Sequence, residues 1–225
     1  MRASFVIRAH NAESTIRRTV ESALEQDFPK ESYEIVVVDD GSTDSTCAVV
    51  STFRSPLIRL IRQENAGVAG AGKTGAQEAR GEILIFLDAD DEATPEAISS
   101  FASGFQHDVA YVYGDYFEEY KGDTKLVRPK SPLAAPAGAF AWRRESFFVE
   151  GGYSYDTIFP EYDILFRTWG RWRGMHVSRP VFVYHRSKDS ITGDEDLVER
   201  ALQALRGRYP ERAQEIGQIR SYMLS

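Results

Sequence analysis

Two apolar runs that end on paired carboxylates constrain this chain most. The first is Glu34-Ile35-Val36-Val37-Val38-Asp39-Asp40-Gly41-Ser42, and the second is Glu82-Ile83-Leu84-Ile85-Phe86-Leu87-Asp88-Ala89-Asp90-Asp91. Runs that are apolar on both faces and rich in branched residues suit the central strands of a parallel sheet covered on both sides. Open α/β sheets bind their ligands at the carboxyl ends of such strands. Carboxylates gathered there repel one another unless something positive lies between them. A divalent cation and the hydroxyls of a nucleotide ribose both answer that need.

The rest of the first half alternates between strand and helix. Residues 4–9, 34–39, 57–62, 82–87 and 108–114 read as strands. Residues 12–26 read as a helix with Ile16, Val20, Ala23 and Leu24 on one face and Asn11 as its cap. Residues 43–53 and the small-residue stretch 68–79 read as two more helices, and Thr94-Pro95-Glu96 opens a fourth. This order predicts a doubly wound α/β half ending near Asp115. Beyond it, residues 116–128 read as a hairpin around Lys121-Gly122-Asp123 and residues 129–138 as a Pro/Ala-rich loop. Residues 139–148 are mixed in character. Pro160 starts a helix expected to run to about Trp172, residues 175–184 read as a strand, residues 186–194 as a polar loop, and the last 30 residues as amphipathic helix.

Composition narrows the function. A chain of 225 residues suits one domain, or two tightly joined halves. A net charge of −7 argues against a general nucleic-acid binder, because phosphate backbones select basic proteins. The single cysteine, Cys47, permits neither an internal disulfide nor a thiolate metal cluster. With no apolar leader at the N-terminus and no stretch approaching a membrane span, a cytoplasmic protein is expected, with peripheral membrane contact left open.

Gly67-Val68-Ala69-Gly70-Ala71-Gly72-Lys73-Thr74 fits the phosphate-loop pattern GxxxxGK[ST] and makes an NTPase one rival reading. Two features count against it. Gln63-Glu64-Asn65-Ala66 separate Gly67 from the preceding strand. Only Gly75 to Gly81 lie between Thr74 and the next strand, fewer than the dozen or so residues a parallel crossover needs. Lys73 remains a point charge that a diphosphate could use.

Several segments, in order along nearly the whole chain, resemble the signatures of family 2 glycosyltransferases. They are Ser4 to Glu13, Val36-Val37-Val38-Asp39-Asp40-Gly41-Ser42-Thr43-Asp44, Asn65 to Ala69 with Ala79-Arg80-Gly81-Glu82, and Leu87-Asp88-Ala89-Asp90-Asp91 as a DxD motif. Gly151-Gly152-Tyr153, Glu161 to Arg167 and Tyr184-His185-Arg186 resemble the acceptor-side signatures. The chain departs from the pattern at Arg8 (commonly proline), at Gly72-Lys73 (commonly Arg-Asn) and at Pro160-Glu161 (commonly Glu-Asp).

The resemblance implies a GT-A fold: a Rossmann-like, mostly parallel sheet flanked by helices, with a smaller acceptor-side part. It also implies one domain over 1–225, with a donor half (1–115) and an acceptor half (116–225). The activity implied is inverting transfer from a nucleotide sugar, a UDP-sugar first among them, to a hydroxyl of a carbohydrate or lipid-linked acceptor, with Mn2+ or Mg2+. Asp90 is then the metal ligand and Asp88 a ribose or metal contact; residues two apart in an extended segment project the same way. Asp91 either joins them or caps the helix after Thr94. Asp40 accepts from the nucleotide with Asp39 in support, while Ala9 and the backbone at His10 and Asn11 line the base pocket. Glu161 is the catalytic base, in a helix first turn whose positive end favours a carboxylate. Asp163 competes for that role, although its spacing from Arg167 suggests a structural pair. His185 is a third metal ligand, a diphosphate contact or a plain surface residue. Ser187 to Glu195, with Gly193, suits a lid over the donor. Arg171-Trp172-Arg173 is either a patch for an anionic acceptor or a helix cover. A sugar-nucleotide-binding module without turnover is the other alternative.

Overall fold

The parallel heart of the molecule is built from the apolar runs. In the computed structural model, which describes residues 2–154, 157–187 and 193–223, the first strand β1 (Ala3–Ala9) is buried along its whole length. It lies between β2 (Tyr33–Asp40) and β4 (Ile83–Asp88), parallel to both, and β3 (Ile58–Gln63) continues the sheet beyond β2. Strands buried on both faces need covers. These are α1 (Ile16–Leu24), which buries Ile16, Val20 and Ala23, the short α2 (Thr46–Val50), and α3 (Gly67–Glu78). Helix α3 lies across β1 and β2 so closely that a Cβ at Gly75 would stand 2.3 Å from Val6 Cγ1.

After β5 (Glu92–Ala93) and α4 (Ala97–Gly104) the sheet becomes mixed. Strand β6 (Val109–Tyr120) pairs with β7 (Asp123–Val127) as the expected hairpin. Its two-residue turn, Lys121-Gly122, has φ of 54° and 86°, the primed geometry that matches strand twist. Strand β8 (Phe140–Arg143) runs antiparallel between β4 and β6, and α5 (Arg144–Val149) follows directly. Helix α6 (Pro160–Arg167) starts at its proline but stops well short of Trp172; Gly170, at φ 75°, turns the chain into β9 (Arg173–His185). The strand order is β3-β2-β1-β4-β8-β6-β9-β5, with β7 beside β6.

The C-terminal helical stretch divides at Tyr209-Pro210 into α7 (Glu195–Arg208) and α8 (Ala213–Met223). Helix α7 buries Val198, Leu202 and Leu205. Among the described residues, no helix is long and apolar enough to cross a membrane.

Candidate functional site

Register brings the acidic strand ends together. Ala9 pairs with Asp39 and Arg8 pairs with both Val38 and Asp88, so β1, β2 and β4 end at one edge. The strand order reverses direction there, with β2 and β3 on one side of β1 and β4 on the other, the place where open α/β sheets bind ligands.

On the β2 side the carboxylates organise backbone. Asp39 Oδ1 accepts from the Ser42 amide at 3.1 Å, and Arg62 Nε donates to Oδ2 at 3.3 Å. Asp40 Oδ1 accepts from the Ala66 amide at 2.9 Å and from Gln63 Nε2 at 2.6 Å, anchoring the start of α3 beside the strand end. Gly41 is obligatory between them: its φ is 74°, and a Cβ would stand 2.9 Å from the Asn65 amide nitrogen. Asn11 does not cap α1, which begins at Ile16 behind Thr15. It adopts φ 49° instead, accepts from the Thr43 amide at 2.8 Å and stitches the loop after β1 to the loop after β2. Asparagine tolerates that left-handed geometry better than most residues. His10, Asn11 and Asn65 cluster at this exposed rim, with His10 Nδ1 2.8 Å from the Asp40 carbonyl.

On the β4 side, α1 holds the DxD turn. Thr19 donates to the Ala89 carbonyl at 2.9 Å and Arg18 to the Asp90 carbonyl at 2.5 Å. Burial, then the charge of Asp88, pushes the Asp90 carboxyl above its ordinary range. Burial with Asp90 and Asp88 pushes Asp91 well above it. Asp91 does not cap α4, which begins at Ala97 behind Glu96; its Oδ1 accepts from the His185 amide at 2.9 Å. The ring of His185 faces Glu92 at 2.7 Å and Glu119 at 3.4 Å, so the structure brings this histidine beside the acidic turn with both ring nitrogens next to other carboxylates.

No three His, Cys, Asp or Glu side chains among the described residues converge to hold a metal by themselves. Asp90 and Asp88 nevertheless fit a hard divalent ion of the kind held by one or two carboxylates and completed by substrate phosphates. Crowded carboxyls pushed toward protonation are what an added cation would relieve.

Glu161 lies in the first turn of α6, 6% exposed, and its Oε1 accepts from Arg8 Nη1 at 2.8 Å. The other terminal nitrogen of Arg8 lies 2.7 Å from Asp88 Oδ1. Tyr153 beside them keeps its proton, its phenol raised by burial and by Glu161. Asp163 is taken elsewhere. It is fully buried, with Arg208 at 2.6 Å, Ser154 at 2.8 Å, the Tyr209 hydroxyl at 3.0 Å and Arg167 at 3.6 Å. Sequence reading marked Arg8 only as a departure from a pattern. The available signal was a cation near the end of a largely apolar central strand.

Three further expectations can be placed. Gly67 to Thr74 is helix throughout, with Gly70 and Gly72 buried, so it forms no phosphate-cradling loop; the NTPase reading falls, and Lys73 sits half-buried in the second turn of α3. Arg171 is bonded to both carboxylate oxygens of Glu150 and Arg173 to Asp108, while Trp172 packs 6.1 Å from Trp142. That segment is therefore a neutralised surface with a packed tryptophan. The expected lid over 187–195 falls largely on residues 188–192, which lie outside the described residues. Residues of α7 and of the start of α3 line one groove of about 370 Å³, with Gly67, Ile158 and Leu197 in its wall.

TarS of Staphylococcus aureus, a poly(ribitol-phosphate) β-N-acetylglucosaminyltransferase, is 31% identical over 133 residues, covering 58% of this chain and 21% of its own length. WfgD of Escherichia coli, a UDP-Glc:α-D-GlcNAc-diphosphoundecaprenol β-1,3-glucosyltransferase, is 32% identical over 115 residues, covering 50% of this chain and 45% of its own. The chain thus spans less than half the length of these relatives. Among solved structures, TarS 1-349 with UDP-GlcNAc superposes at a TM-score of 0.76 with 19% identity, over 91% of this chain and 65% of that one. The mannosyltransferase PcManGT of Pyrobaculum calidifontis, with GDP-Man and Mn2+, superposes at 0.75 with 21% identity, over 99% and 69%. The fold is GT-A. The model for "Glycosyl transferase family 2" matches residues 4–175, and the chain belongs to that family.

Proposed function

We propose that this chain is a metal-assisted, inverting glycosyltransferase that moves a sugar from a nucleotide sugar, a UDP-sugar first among them, to a hydroxyl of a carbohydrate or lipid-linked acceptor. The observation that carries the reading is the meeting of Ala9, Asp39, Asp40 and Asp88 at one sheet edge with Glu161 joined to it through Arg8. Residues 1–115 serve the donor and residues 116–225 the acceptor.

Ala9, Asn11 and the Asp39–Asp40 turn form the nucleotide rim, where the second carboxylate oxygen of Asp40 has no hydrogen bond among the described residues and is offered to the base or ribose. Asp90 and Asp88 would hold Mn2+ or Mg2+, which when bound supplies positive charge for the leaving diphosphate. Lys73 offers a point charge toward the same diphosphate. Glu161 takes the proton of the acceptor hydroxyl as that oxygen attacks the anomeric carbon from the face opposite the diphosphate. The donor-bound solved relatives support the ligand class, and the name of WfgD supports a lipid-linked acceptor.

A second reading, a donor-binding module without turnover, is favoured by one observation: Arg8 already occupies an oxygen of the nearly buried Glu161. Thermal shift with UDP, GDP, CDP or ADP, each with Mn2+, Mg2+ or EDTA, tests the donor. A ligand at about a hundred times its Kd adds roughly 2.7 kcal/mol of stability. Stabilisation by one diphosphate that is lost in EDTA, together with UDP release from UDP-glucose that is lost in Asp90→Ala, supports the transferase. Full activity in Asp90→Ala sinks it, and binding without any release leaves the module.

A further inference from the structure

Arg8 joins two carboxylates that belong to different parts of the fold. It is the penultimate residue of β1, its side chain 3% exposed, and reaches Asp88 on β4 and Glu161 on α6 with separate terminal nitrogens, while its Nε has no hydrogen-bond partner among the described residues. Phe86 lies under the guanidinium, 5.8 Å from it. Gly72 leaves the space: a Cβ there would stand 2.9 Å from the Tyr153 ring and 3.4 Å from Arg8 Cδ. Replacing such a buried ionic group by apolar side chains is often neutral or stabilising. The neighbours Val6, Ile7 and Ala9, all buried, show that this strand end accepts apolar residues. Stability alone therefore does not call for an arginine. What a guanidinium does here, and a hydrocarbon cannot, is hold two carboxylates in one rigid planar fork. One of them, Asp88, is 37% exposed and faces the donor edge; the other, Glu161, is 8% exposed in its side chain and belongs to the acceptor half.

We propose that Arg8 is a positioning residue that couples ligand engagement at Asp88 to the orientation of Glu161. The inference rests on the roles given to those two carboxylates above. A ligand that draws on Asp88 alters how the guanidinium is shared. Neutralising Glu161 in turn leaves Arg8 to Asp88 alone, and the two effects are reciprocal because both are equilibria of one network.

The test is a double-mutant cycle on binding, which needs no turnover. UDP, or GDP where UDP does not bind, is titrated with manganese chloride by calorimetry into the wild type, Glu161→Gln, Arg8→Met, Arg8→Lys and the two double variants. Glu161→Gln is expected to change the Kd about fivefold more in the wild type than in the Arg8→Met background, the non-additivity of residues in one network. Arg8→Lys keeps a charge without the fork. It should hold an unfolding midpoint near that of the wild type and still lose the coupling, which a merely structural arginine would not do. Additive changes, or coupling that survives in both Arg8 variants, overturn the proposal. A wild type that binds UDP but gives an additive cycle removes the Arg8 inference alone; a wild type that binds neither UDP nor GDP removes the transferase reading and this inference with it.

Discussion

Asp163 and Glu161 sit two residues apart on α6, and their substitutions should fail in opposite ways. Asp163 is fully buried and faces two guanidiniums, a hydroxyl and a phenol. Asp163→Asn keeps the volume and one acceptor but removes the charge that Arg208 and Arg167 answer. Breaking a wholly buried pair costs about 3–5 kcal/mol. Here the two arginine side chains are 34% and 27% exposed, so water takes back part of their charge, and about 2 kcal/mol is the expected loss. For a chain of this size that lowers the unfolding midpoint by about 4–8 °C. Glu161→Gln removes the proposed proton acceptor and should reduce turnover by about 10²–10⁴-fold with a smaller effect on stability. UDP release from UDP-glucose, measured at a temperature where circular dichroism shows both variants folded, separates them. Asp163→Asn should retain most of its turnover there, and Glu161→Gln should not. A folded Asp163→Asn chain without turnover, beside an active Glu161→Gln chain, would refute the assignment and make Asp163 the base.

Three other outcomes are expected. Gly81→Ala would place a Cβ 2.6 Å from the Ala3 carbonyl carbon and the Ser4 nitrogen, so backbone must move; urea unfolding should show a loss of about 2–3 kcal/mol. Burial, aided by Tyr113, pushes the Tyr111 phenol up to about 12, above its unfolded value near 10. Its stabilisation is complete below pH 10 and fades as pH rises through 12, so Tyr111→Phe should flatten the alkaline decline in unfolding midpoint. Because Gly67 to Thr74 is helix rather than loop, ATP without a divalent ion should not stabilise the chain, and Lys73→Ala should leave that result unchanged; an ATP shift abolished by Lys73→Ala would restore the phosphate-loop reading.

Much of the acidic sheet edge was legible because its signals are local. A strand buried on both faces must be apolar at consecutive positions, which marked β2 and β4 and placed Asp39, Asp40 and Asp88 at their ends. A two-residue turn with positive φ left its mark as Lys121-Gly122, and a helix pressed against a sheet left its mark as the small residues of α3. Pro160 at a helix start put Glu161 in the first turn, where the structure has it, while its role came only from the family resemblance.

What the tertiary structure alone decided are contacts between groups far apart in the chain. The short β8 has too few residues for a periodic signal, and only its insertion between β4 and β6 shows it to be a strand. The fates of Asp163 and His185 depended on Arg208 and Glu92, which no spacing rule connects to them. The bond from Arg8 to Glu161 crosses 153 positions. Burial pattern is written into a strand by its own residues, whereas an ion pair exists only once the sheet has closed and its partners share a place that excludes water.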